Sequence, residues 1–340
     1  MNSSMIRFIL GTILKTEAVL LLLPCIVAFS YGEKHGFAYA FTALICALTG
    51  VLFSPRKPKD TVFYLKEGCV ATALSWILLS LFGCLPFLIT KEIPSFTDAV
   101  FETVSGFTTT GASILSDVEA LSYTSLFWRS FTHWIGGMGV LVFILAVIPM
   151  SGGSHINLMR AESPGPSVGK LVPKIKSTAR ILYLIYLGMT LLEILILLAL
   201  DMPLFDSVTL SFGTAGTGGF GIKNSSLGDY SASQQWVITI FMMLFGVNFN
   251  AFYLIVFGKI KKALRMEEVR YYFLIILAAI GIIFFNLWDS AMGALDALRH
   301  APADTVRVEL NTGISPAIIV PAEGEEKFLY MVLPVRLKGN

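Results

Sequence analysis

Residues 94–113 read PSFTDAVFETVSGFTTTGAS, and residues 202–221 read MPLFDSVTLSFGTAGTGGFG. Moved by 108 positions, the first lies on the second without a gap: Asp98 meets Asp206, Val100 meets Val208, Thr109 meets Thr217 and Gly111 meets Gly219. The same offset carries Ser125 to Ser233 and Trp128 to Trp236. One register held over about forty residues is an internal repeat. Each copy opens near an acidic residue, which suits a helix N-terminus and its dipole. The helix should end near Gly106 in the first copy and near Gly213 in the second. The TTTG and TGGF that follow suit extended or left-handed backbone, because glycine permits positive φ.

The sequence around the repeat sets its environment. Hydrophobic residues make up 55% of the 340, and charged residues only 14%, well below the roughly 25% of soluble domains. Apolar runs recur at 18–30, 37–53, 69–89, 134–149, 181–200, 237–257 and 271–288. Several approach the ~20 residues that cross a bilayer as a helix. The pattern predicts about seven spans, the first beginning near Ile6 and taking in Lys15 and Glu17. Basic residues gather after the second span (Arg56, Lys57, Lys59, Lys66), after the fourth (Arg160, Lys170, Lys174, Lys176, Arg180) and after the sixth (Lys259, Lys261, Lys262, Arg265, Arg270). By the positive-inside rule these loops and the N-terminus are cytoplasmic. Both repeat copies then enter from the outside and return to it. The first segment lacks a clear cleavage site and is followed by further spans, so it does not read as a signal peptide.

Non-helical backbone at membrane depth is tolerated only where it is buried in protein or lines water. A re-entrant helix followed by a Thr/Gly strand can aim carbonyls at a pore axis and replace the hydration shell of a cation. The rival nucleotide readings fail. Gly216, Gly218 and Gly221 form a G-x-G-x-x-G, but no strand precedes them and they lead into a polar loop rather than a helix. GPSVGK at 165–170 has the wrong phosphate-loop spacing, and Leu171 stands where Ser or Thr is needed. Cys25, Cys46, Cys69 and Cys84 lie in apolar spans without metal or disulfide spacing and read as packing residues. Isolated His35, His155 and His300 give no metal site.

FETVSGFTTTGAS (101–113), FWRSFTHWIGGMGVLVFILAVIP (127–149) and GTGGFGIKNSSL (216–227) together resemble the membrane subunits of Trk/Ktr-type potassium uptake systems, most nearly the TrkH branch. The resemblance covers roughly residues 1–300. It implies helix–pore-loop–helix units around one ion path, each giving filter residues. Carried over by position, the ion-binding residues are Thr108, Thr109, Thr110 and Gly111 in the first unit, and Thr217, Gly218 and Gly219 in the second. It also implies potassium as the transported ion, no cofactor and no enzymatic activity. The implied setting is the bacterial inner membrane, with a homodimer and a cytosolic nucleotide-binding ring of the TrkA type as partners, and no nucleic acid.

The expected fold class is therefore all-α integral membrane, with repeated helix–re-entrant pore loop–helix units and a short β tail. Two leading helices occupy 1–67, the first unit 68–150, a cytoplasmic loop 151–176, the second unit 177–258 and the first helix of a third unit 259–301. The resemblance implies four units, so the expectation is an incomplete pore; the alternative is a non-conducting fusion product or membrane scaffold. Residues 302–340 change character. Val306, Val308 and Leu310 alternate with polar residues as in a half-buried strand, and the segment resembles the end of a bacterial DNA polymerase sliding clamp. Asp98, Glu102, Asp117, Glu119, Asp201, Asp206 and Asp229 fall on the outer side, where an acidic vestibule would concentrate cations; capping is the alternative for Asp98 and Asp206. Arg129 and His133, one turn apart, either steady the filter or anchor the interface. Gly136, Gly137 and Gly139 suit close helix packing.

Overall fold

The computed structural model describes residues 2–56, 58, 65–137, 139 and 175–288. All the regular secondary structure among these residues is helical, with no strand. Much of the fourth span, most of the 151–176 loop, the end of the third-unit segment and the expected β tail over 302–340 lie outside the described residues.

The leading segment forms α1 (Ser3–Leu20) and α2 (Leu22–Tyr31), followed by α3 (Gly36–Phe53). The 3–31 stretch and α3 are each long and apolar enough to cross a membrane. They lie close because Gly11 and Gly50 face each other: a Cβ on either would stand 2.8 Å from the other's carbonyl oxygen. The first repeat unit contributes α4 (Leu65–Gly83), its extension α5 (Leu85–Thr90), a short helix α6 (Phe96–Phe107) and α7 (Tyr123–Gly137). The second contributes α8 (Ile175–Ala199), a short helix α9 (Leu204–Ala215) and α10 (Ala232–Phe245), continued by α11 (Phe249–Val256). A five-residue turn helix α12 (Ile260–Leu264) leads into α13 (Glu267–Trp288). Among the described residues four helical stretches pass as spans, or five if the bent α10–α11 pair is one.

Two compact units emerge. One holds the described residues up to Leu184 together with Phe220–Asn224; the other holds Ile185–Gly219 and the described residues from Ser225 onward. The core of the first is Trp128, fully buried. Its Nε1 donates to the Gly83 carbonyl at 2.9 Å, and its ring meets Tyr39 and Phe107 edge to face. The N-terminus of α7 carries two carboxylates from distant segments. Glu33 accepts the backbone N–H groups of Tyr123 and Thr124 at 2.9 and 3.0 Å. Glu92 accepts that of Ser122 at 2.6 Å. Orphan N–H groups at a helix start need such acceptors.

In the second unit, fully buried Tyr186 of α8 packs edge-on against Phe245. Ser231 and Gln234 form a capping box at the start of α10. Here the structure departs from an uninterrupted 237–257 span: α10 and α11 meet at 93° across Gly246, Val247 and Asn248. The bend is held chemically. Tyr272 of α13 donates its hydroxyl to the Met243 carbonyl at 2.7 Å, and the Asn248 side chain accepts from the Asn250 N–H at 2.9 Å. A Cβ on Gly246 would lie 2.3 Å from the Tyr272 hydroxyl, so the tyrosine reaches the break only because residue 246 is glycine.

Candidate functional site: two Thr/Gly segments after short helices

The two short helices are the ones the repeat predicts, and each ends one or two residues later than expected, at Phe107 and Ala215. Asp98 and Asp206 sit in the first turns rather than at the caps. Ser95 caps α6 by accepting from the Asp98 N–H at 3.4 Å. Pro203 occupies the cap position of α9, and Asp206 accepts the Tyr230 hydroxyl at 2.9 Å.

Beyond the helices the chain makes the same local structure twice. The Thr108 N–H bonds the Val104 carbonyl at 2.8 Å, and the Gly216 N–H bonds that of Phe212 at 3.2 Å. The Thr109 N–H bonds the Gly106 carbonyl at 3.0 Å, and the Thr217 N–H bonds that of Thr214 at 2.9 Å. Both pairs are 108 positions apart. Thr109 and Thr217 take left-handed φ of 56° and 59°, and Gly111 and Gly219 take 77° and 72°. Left-handed threonine is strained by roughly 1–2 kcal/mol. Two such residues at matched positions make the conformation a property of the repeat, not of local sequence. The next bond differs: Thr110 reaches the Ser105 carbonyl at 2.9 Å, whereas Gly219, not Gly218, reaches Gly213 at 3.1 Å. In the first segment Thr108 and Thr110 are exposed and share a hydroxyl bond of 2.8 Å, while Thr109 is buried. In the second, Thr217 and Gly218 are half-buried and Gly219 is exposed.

The first unit supports its segment with a buried ionic bracket. Glu102 of α6 and Arg129 of α7 pair through Oε1 and Nε at 2.5 Å, both side chains almost fully buried. Glu102 also accepts from the Ser113 hydroxyl and the Ile114 N–H, each at 3.0 Å. Arg129 donates Nη1 to the Gly221 carbonyl at 2.8 Å, and its guanidinium lies 3.6 Å from the centre of the Phe220 ring. His133 stacks on the same ring at 3.9 Å. Gly136 leaves space beside the end of α6, since a Cβ there would stand 2.2 Å from the Phe107 carbonyl.

Glu102 therefore belongs to an ion pair and not to an open acidic vestibule, and Arg129 is no interfacial anchor. The outer acids Asp117 and Glu119 are engaged as well: Asn224 donates its side chain to Asp117 at 2.8 Å and its backbone N–H to Glu119 at 3.0 Å. Sequence reasoning missed Glu33 and Glu92 as caps, because a cap supplied from thirty or ninety positions away leaves no local pattern. Among the described residues no group of acids, histidines and cysteines could hold a metal ion.

Known proteins resemble the chain in sequence and in fold. The family model described as a cation transport protein, TrkH, matches residues 34–300. The Trk system potassium uptake protein TrkH of Salmonella typhimurium is 33% identical over 307 residues, covering 87% of this chain and 63% of that protein. Its namesake in Halomonas elongata is 31% identical over 338 residues, covering 98% of this chain and 70% of that one; that alignment takes in most of 302–340. The crystal structure of the potassium transporter TrkH from Vibrio parahaemolyticus superposes with a TM-score of 0.79 at 28% identity, covering 91% of this chain and 64% of that one. The chain thus spans a little under two thirds of the length of the Salmonella relative. It is a multi-pass membrane protein, and it belongs to the TrkH family of cation transport proteins.

Proposed function

We propose that the chain supplies part of a path for potassium into the cell, a pore incomplete with two units, through a filter whose ion-binding residues include Thr108, Thr109, Thr110 and Gly111 of the first unit and Thr217, Gly218 and Gly219 of the second. One observation carries this reading: the repeat-matched left-handed backbone at 109 and 217 and at 111 and 219. Such backbone after a short helix frees carbonyls to replace a cation's water. The C-terminal end of each short helix adds partial negative charge nearby. Dehydration into carbonyl cages needs no covalent chemistry and no cofactor. An inward monovalent cation gains about 2.3 kcal/mol per 100 mV of membrane potential.

The same reading places the chain in the bacterial inner membrane, with a homodimer and a cytosolic nucleotide-binding ring as partners. Its domain boundaries follow the two repeat units, with 302–340 as a small β unit on its alternating pattern. The test is rubidium uptake by the gene product that carries these residues, in cells lacking their own potassium systems. Gly111→Asp and Gly219→Asp should each abolish uptake, because an aspartate at a left-handed position both strains the backbone and fills the ion path. Uptake unchanged by both substitutions would overturn the assignment.

A further inference from the structure

Glu17 lies on α1 within the first apolar span and is 1% exposed. Neither carboxylate oxygen meets a hydrogen-bond partner. The residue borders a cavity of about 30 Å³ lined also by Ile13, Leu79, Phe107, Ile135 and Tyr183. That is room for a water molecule, with the Thr16 hydroxyl beside the carboxyl group as a second polar partner on a largely apolar lining. Gly83 of α4 leaves room chiefly for Phe107 and Thr103, where a Cβ would stand 2.9 and 3.1 Å away, and it would also lie 3.3 Å from Oε1 of Glu17.

The charged and titratable groups nearby are committed elsewhere or carry no charge. Lys15 of the same helix donates to the Ser54 carbonyl at 3.0 Å. From α3 comes the Cys46 thiol, and Cys84 follows α4, both buried. The α8 helix brings the Tyr183 phenol to the cavity. On α6 and α7, Glu102 and Arg129 are paired with each other, and His133 is stacked on Phe220. A carboxylate left without cation or donor in such a place is strongly unfavourable, whereas the acid form needs only one acceptor, which a water supplies. Intramembrane acids without an ion partner mark proton and ion sites.

We propose that Glu17 is a proton-binding site, its acid hydrogen shared with water in the cavity behind Phe107. Phe107 closes the first short helix and directly precedes Thr108. Release of the proton would place a negative charge behind that step, where the low dielectric lets it act on a cation in the adjoining segment. The site lies apart from the Thr/Gly segments, and its test does not depend on uptake.

Infrared difference spectra of the purified protein in lipid nanodiscs, wild type minus Glu17→Gln at neutral pH, should show a carboxylic-acid carbonyl band. The band should shift in deuterated water and persist in Glu193→Gln, which alters another deeply buried carboxyl whose oxygens meet no hydrogen-bond partner. Raising the pH should bleach it reversibly as a carboxylate signal grows. Where Glu17→Gln does not fold, Glu17→Asp should move the band instead of removing it. Spectra without an acid band assignable to Glu17 would overturn the proposal. So would loss of a carboxylate signal in Glu17→Gln, which would mean an ionised Glu17 held by a cation.

Discussion

At the scale of single residues, the two repeat units carry opposite chemistry at one pair of matched positions. The first places Glu102 against Arg129; 108 positions on, the second has Leu210 and Val237. Breaking a buried ion pair from one side leaves a bare charge and costs about 3–5 kcal/mol, while replacing both partners with apolar groups is often neutral. Glu102→Leu or Arg129→Val alone should therefore lower the thermal stability of the purified protein sharply. The double variant, which copies the second unit, should recover much of the loss. It should not recover all of it, because Ser113, Ile114 and Gly221 lose their partners too. A double variant no more stable than the worse single one would show that the pair is not the coupled unit described.

At the scale of elements, the short helices were legible in the sequence because two copies of one pattern fix each other's register. The left-handed threonines were only partly so: Thr/Gly composition permits that backbone, but nothing in a threonine demands it. The 93° break between α10 and α11 was hidden, since Gly246, Val247 and Asn248 lie inside an apolar run whose composition alone reads as one span. What makes it a bend is Tyr272, from another helix. Gly246→Ala should destabilise the second unit, because its Cβ would meet the Tyr272 hydroxyl. Tyr272→Phe should cost about 1 kcal/mol by itself, the net worth of one hydrogen bond. Combined, the two should be less damaging than their sum, because the phenylalanine removes the nearest clashing atom. Chemical denaturation of the four proteins measures this coupling, and strict additivity would contradict the account of the bend.

At the scale of the whole molecule, hydropathy and loop charge assign spans and sidedness, while burial was not readable. Glu102, Arg129 and Glu17 look in sequence like boundary or outlying charges; their placement depends on helices brought together from distant positions. The sidedness has a direct consequence. Ser226→Cys, in the polar segment after the second Thr/Gly stretch, should react with an impermeant thiol reagent added to intact cells. Lys262→Cys, in the basic turn helix, should react only after the cytoplasmic face is opened. The native cysteines would first be replaced by alanine. The reverse labelling pattern would invert the topology.

The central claim is that the repeated Thr/Gly segments bind a dehydrated monovalent cation. Thallium(I) substitutes for potassium and scatters X-rays anomalously, so its position can be read directly in crystals of the protein grown with it. The account predicts anomalous density against main-chain oxygens of the 108–111 and 217–219 segments, displaced by excess potassium and lost in Gly219→Asp. Thallium bound only elsewhere, with both segments empty, would contradict it.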